Sequence, residues 1–152
     1  PDYLEIPHDA GLAGLDWTFF TLIKTSSSTG SLVSKNNASA ARPIDGIVFG
    51  TVMNLAGERD GVSAVNSNTW RRVGARRGVG ISEASIWVDG AKDSFGSLTS
   101  YTNTGESIRI GLRADGFGPF NGDIAHVSVW ARALSNTEIT QVHSYFAARF
   151  GL

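Results

Sequence analysis

The 152 residues include no cysteine. That absence excludes a disulfide framework, thiol chemistry and a cysteine-based zinc site, and leaves the redox compartment open. No apolar run approaches the roughly 18 residues that a membrane-spanning helix requires, so no membrane insertion is expected. The opening Pro1-Asp2-Tyr3 has neither a basic nor a long apolar segment, so no signal peptide is visible. An excess of one charge is also missing. The 13 basic and 14 acidic residues leave a formal net charge of −1, which disfavours nucleic acid as a partner. Charged residues are only 18% of the chain and aromatics reach 10%, the reverse of a disordered composition. The length suits one domain with its own core. Neither a repeat nor a linker divides it, so residues 1–152 read as a single domain.

What is abundant is glycine, 18 residues falling between short β-branched and aromatic runs. Residues 2–6 alternate, with Tyr3 and Glu5 opposite Leu4 and Ile6. Residues 16–24 (DWTFFTLIK) are apolar on both faces, the pattern of a strand covered on both sides. Further strands are expected at 31–35, 44–51, 69–75, 84–88, 107–112 and 123–130. In the last, Ile124, His126, Ser128 and Trp130 oppose Ala125, Val127 and Val129. Five Asx-Gly pairs, at Asp45, Asp60, Asp89, Asp115 and Asn121, supply turn chemistry. Polar loops are expected at 25–30 and 36–41. Many short antiparallel strands punctuated in this way predict an all-β sandwich or jelly roll.

One helix is expected near the end. Ser135 and Glu138 form a capping box. Ile139, Val142, Phe146 and Phe150 follow at helical spacing, Arg149 suits the last turn, and Gly151 can end the helix. This amphipathic helix should pack on the sandwich as a lid, with His143 at its polar edge.

Several segments together resemble one family. Residues 2–7 (DYLEIP) resemble the opening "DYVEIP" strand of laminin-G-like jelly rolls in the concanavalin A-like lectin/glucanase superfamily. Residues 19–24 resemble the second core strand, and Thr69-Trp70-Arg71-Arg72-Val73 resembles the "W-x-x-V" strand. Residues 85–90 (SIWVDG) resemble the "x-L-Y-V-D-G" hairpin, and Ile108-Arg109-Ile110-Gly111 resembles "L-x-I-G". Residues 120–125 followed by 130–135 resemble "F-x-G-x-I-x-E" and "Y-x-R-A-L-S". The matches keep family order from Asp2 to Ser135. His126 departs from the acidic residue common at its position, and the strand that usually precedes "DYVEIP" is missing or truncated. The resemblance implies a concanavalin A-like antiparallel β-sandwich, with Trp17, Trp70 and Trp87 as packing residues.

The resemblance also frames the chemistry. Glucanases of the superfamily use E-x-D-x-x-E, whose carboxylates act as nucleophile and acid/base. Here Glu58-Arg59-Asp60 fills two positions and Ser63 the third, so a charged turn is expected rather than catalysis. His8, His126 and His143 form no ligand pair of the H-E-x-x-H kind, and His126 is expected to be packed or hydrogen-bonded. No G-x-S-x-G is present. Related domains bind Ca²⁺ at the sandwich rim through loop oxygens. That implies Asp89, Asp115 and Asp123, with Asn121 beside them, as metal candidates; calcium would be an optional ligand, since no cofactor is required. Sugar binding needs an exposed aromatic rimmed by polar groups. Phe117 and Tyr101 are the loop aromatics, with Arg113, Asp115 and Asn121 as polar neighbours. Of the 13 basic residues 10 are Arg. Arg71, Arg72, Arg76 and Arg77 would form a solvated strand face, or a contact surface for acidic groups.

These readings lead to a non-enzymatic binding or adhesion module that recognises glycan or a protein surface through rim loops, at an extracellular or virion-surface location. The alternative is a structural or attachment protein of a larger assembly such as a virion, or a homo-oligomer.

Overall fold

The structure is a computed structural model. It describes all residues except 1, 9–10, 12–15, 36–43, 56–58, 79–82, 98–104, 114–115 and 117. The β-branched and aromatic runs form strands, where stiff side chains pack well on a pleated surface. In chain order these are β1 (Leu4–Ile6), β2 (Trp17–Lys24), β3 (Thr29–Lys35), β4 (Ile44–Phe49), β5 (Val52–Leu55) and β6 (Arg59–Asp60). Then come β7 (Arg71–Gly78), β8 (Glu83–Val88), β9 (Ala91–Gly96), β10 (Ile108–Ile110) and β11 (Asp123–Trp130), and the helix α1 (Asn136–Phe150). A six-stranded sheet runs β1-β10-β3-β4-β5-β6 and a five-stranded sheet runs β11-β2-β7-β8-β9. All pairings are antiparallel. The fold is the expected antiparallel β-sandwich with one C-terminal helix.

Two apolar layers hold it. Between the sheets lie Phe19, Ile23, Leu32, Val48, Val73 and Ile86, with Trp17 among them. On the outer face of the five-stranded sheet, Phe20 and Trp87 pack against Leu134, Ile139 and Phe146 of the helical segment. This double cover explains why β2 is apolar on both faces. The Phe20 ring can lie across β7 because its cross-strand neighbour is Gly74; a β-carbon there would clash with two of the ring carbons.

The helix begins as expected. Ser135 Oγ accepts from the Glu138 N–H at 3.3 Å, and the Ser135 N–H donates to Glu138 Oε2 at 2.8 Å. Gly151, at φ 68°, ends it. Several expectations need correction. Asp45-Gly46 is no turn but lies inside β4, where Gly46 makes room for Phe19. Arg59-Asp60 is a short edge strand rather than a charged turn. In β11 a register shift between Ile124 and His126 turns Ile124 inward with Val127 and Val129; a bulge adds one residue and so switches faces. His143 is buried against Phe20, not at the polar edge of the helix. Trp87 packs in the helix layer, whereas Trp70 is 38% exposed and is not a core residue.

Candidate functional site

Strand direction decides which loops meet. β2 and β10 end, and β3, β7 and β11 begin, at the same end of the sandwich. The connections 25–28, 61–70 and 111–122 therefore share one rim. Thr25 ties them together. Its carbonyl accepts from the Asn68 N–H at 2.8 Å, and its hydroxyl donates to the Asn121 carbonyl at 2.6 Å. The 111–122 loop is further held by Phe120 N–H to Gly111 O, and Ser31 N–H to Gly118 O, both 2.8 Å. Gly116 and Gly118 take φ of 76° and 62°, left-handed conformations that favour glycine. These backbone bonds hold residues 111–113, 116 and 118–122 in place, and groups held in this way lower the ordering cost of binding.

The sequence candidates distribute unevenly on this frame. Arg113 and Asn121 lie on the 111–122 loop; Arg113 is half-buried, its carbonyl taking the Gly116 N–H at 2.9 Å, and Asn121 is exposed. Asp115 and Phe117 lie outside the described residues, flanked by Arg113, Gly116 and Gly118 of the same loop. Tyr101 also lies outside them; Gly96 and Ile108, which flank its segment, stand at the opposite end. The rim gains a residue that the sequence reading assigned to the core: Trp70, exposed at the end of the 61–70 loop. The polar run Asn66-Ser67-Asn68-Thr69 before it was the available signal.

The metal candidates do not converge among the described residues. Asp89 sits in the β8–β9 turn at φ 50°. Its carboxylate faces Arg71 Nε at 3.0 Å and Arg72 Nε at 3.7 Å, and accepts the Arg72 N–H at 2.9 Å. Asp123 is exposed on β11, three strand spacings away across the sheet order β11-β2-β7-β8, or about 14 Å. Calcium ligands must lie about 2.3–2.6 Å from the ion, so these two carboxylates cannot share one. No group of three or more His, Cys, Asp or Glu that could hold a metal occurs among the described residues.

The arginine strand differs from both expectations. Arg76 and Arg77 are buried rather than solvated. Arg76 donates to the Leu134 carbonyl at 2.8 Å and Asn136 Oδ1 at 2.9 Å, and pairs with Glu83. Burial alone would raise the Glu83 pKa, but hydrogen bonds from Lys92 and Arg76 outweigh it and the pKa is lowered. Arg72 reaches the His143 carbonyl at 3.0 Å. Arg72 and Arg76 thus dock the helix on the sheet. His143 is 2% exposed, and neither ring nitrogen has a hydrogen-bond partner among the described residues. Burial, then the nearby Arg72 charge, push its pKa down to about 4, against a smaller opposing pull from Asp89. His126 meets expectation, with Nε2 2.7 Å from Ser128 Oγ and its ring edge-on to Phe146.

Among the described residues the sandwich is closed on one side and open on the other. Near β6 the Asp93 carboxylate of β9 accepts the N–H groups of Val62 and Ser63, at 2.6 and 3.0 Å. Ser63, at the third position of the partial E-x-D-x-x-E pattern, therefore serves this closure through its backbone N–H. On the far side, Leu4 and Ile6 of β1 share the core face of Ile110 and Ile108, yet remain 68% and 37% exposed. A cleft of about 480 Å³ lies there, between β1 and β11. A second groove, of about 470 Å³, runs between the outer face of β11 and α1. No helix among the described residues is long and apolar enough to cross a membrane.

No curated protein matches the sequence. Among solved structures, a candidate carbohydrate-binding protein from Bacteroides ovatus superposes with a TM-score of 0.70 at 16% identity, over 91% of this chain and 44% of that one. The CBM40 of Ruminococcus gnavus IT-sialidase, bound to α2,3-sialyllactose, gives 0.68 at 18% identity, over 94% and 97%. Domains LG4-5 of the mouse laminin α1 chain give 0.66 at 11% identity, over 89% and 40%. The chain thus spans less than half of the Bacteroides and laminin chains. At these identities the likeness is one of fold. Residues 2–140 match the model of the Laminin_G_3 family, and the chain therefore belongs to that family, within the concanavalin A-like lectin/glucanases superfamily.

Proposed function

We propose that the protein is a non-catalytic binding module that recognises a glycan at the rim built from 25–28, 61–70 and 111–122. The observation that carries this reading is Trp70, an exposed indole. It lies beside a loop pinned through Thr25 to both Asn68 and Asn121. A flat apolar ring bordered by fixed polar groups is what a pyranose face requires. In this reading Phe117 is the second stacking ring, and Arg113, Asp115 and Asn121 supply hydrogen bonds. Tyr101 takes no part, since its neighbours stand at the other end. Calcium is not required, because Asp89 is already engaged by arginines. The sugar-binding description of two structural relatives supports the ligand class, and an extracellular or virion-surface location fits it. A glycan array followed by calorimetry on the best hit tests it. Trp70→Ala and Phe117→Ala should each weaken binding about tenfold, or ~1.4 kcal/mol. A blank array, or wild-type affinity in both variants, would overturn it.

A second reading, a structural or attachment part of a larger assembly such as a virion or a homo-oligomer, is favoured by one observation: the uncovered core face of Leu4 and Ile6 beside β11. Light scattering decides for it if the protein is a stable oligomer whose mass falls on Leu4→Lys, and against it if the protein is monomeric.

A further inference from the structure

The groove between β11 and α1 is separate from the rim. β11 begins at the rim with Asp123 and ends with Trp130, so Trp130 lies about 23 Å from it along the strand. The groove volume of about 470 Å³ falls in the roughly 300–1,000 Å³ range of small-molecule sites. Its composition is specific. Trp130 presents a partly exposed indole whose position is set by edge-on contact with Phe20. Across from it, Glu138, Gln141 and Tyr145 line the groove from α1. At positions i, i+3 and i+7 they form one stripe along the helix. Tyr145 is 58% exposed. At one end Arg132 holds Glu138 through two bonds, of 3.0 and 2.6 Å. On the floor Ser128 is bonded to His126.

We infer that this groove is a second ligand site, for a neutral mono- or disaccharide held among Trp130, Gln141 and Tyr145, all of which line it. The charge balance selects the class. Arg132 and Glu138 cancel, so an anionic sugar would meet Glu138 and a cationic one Arg132. A wholly apolar ligand would strip water from both ions with no hydrogen bond in return. Sugar hydroxyls can bond the outward faces of both ions, and Gln141 offers a donor and an acceptor side by side. The two aromatic rings that line the groove offer apolar surface to a pyranose face.

The test is an NMR titration of the full chain. Trp130→Phe assigns the Trp130 indole N–H, and Gln141→Ala assigns the side-chain amide. Methyl glucoside, methyl galactoside, N-acetylglucosamine and lactose are added to millimolar concentrations. At least one should move both signals in a saturable way. Tyr145→Ala should weaken that response about tenfold with spectral dispersion unchanged, since its side chain is exposed. Trp70→Ala should leave it intact, so that failure of the rim reading and failure of this one are distinguishable. The proposal is overturned if no neutral sugar moves the groove signals, if Tyr145→Ala leaves the affinity unaltered, or if only sialic acid or only an apolar probe such as benzene moves them.

Discussion

His143 shows how much one buried titratable group can govern. Its folded pKa of about 4 lies below the ordinary 6.5 because burial and Arg72 disfavour the charged ring. The unfolded chain therefore takes up a proton near pH 6.5 that the folded protein refuses until about pH 4. Stability is complete at pH 7, declines as pH falls below 6.5, and has lost this contribution, on the order of 3 kcal/mol, by about pH 4. Urea midpoints at pH 7 and pH 4.5 should show the decline, and His143→Phe should flatten it, since neither ring nitrogen has a partner among the described residues. An equal decline in the variant would refute the assignment. The position was legible in part: residue 143 lies four after Ile139 and three before Phe146, on the buried face. Its polarity argued for the edge, and packing against Phe20 overrode that. Gly74 is the opposite case. Nothing in the sequence marks it apart from other glycines, yet Gly74→Ala would collide with Phe20. It should lower thermal stability by about 1–3 kcal/mol, the usual cost of overpacking.

Among elements, α1 was the most legible, because capping box, spacing and terminal glycine are local signals. Ser135→Ala should cost about 1 kcal/mol in thermal unfolding. The helix is anchored non-locally, however, by Arg76, which holds the Leu134 carbonyl and Asn136 across 58 and 60 residues. Arg76→Ala would leave that carbonyl without its donor and deprive Glu83 of its buried partner. It should destabilise by about 3 kcal/mol, with hydrogen exchange rising first at the start of α1; unchanged exchange there would contradict the anchoring role. The strands that sequence reading passed over were β5, β6 and β9. They are short or polar: Ala91–Gly96 reads AKDSFG, and as an edge strand it needs one partner, β8, rather than an apolar face. The β11 bulge was invisible for a similar reason, since an unpaired residue changes the side-chain period only once the partner strand is known.

At the scale of the whole molecule, the helix and its preceding segment are a third layer. A chain ending at residue 134 would uncover Phe20 and Trp87 together with Trp130. Such a large apolar patch promotes association. The truncated protein should bind the dye ANS and lose cooperative unfolding, whereas normal cooperativity would mean the sandwich suffices alone.

The strand and turn pattern, the doubly apolar β2 and the capping box are local, and so is the ordered set of motifs that marks the family. All of these the sequence determined by itself, since they depend on residues adjacent in the chain. The rim, the groove and the fate of the arginines depend on which strand lies beside which. Pairing of β2 with β7 and β11 set the directions that carry Thr25, Trp70 and Asn121 to one end. It also buried Arg76 under the helix and left Trp130 and Tyr145 lining one groove. Only the tertiary structure decided these, because burial and charge pairing belong to neighbours in space, many of them more than fifty residues apart.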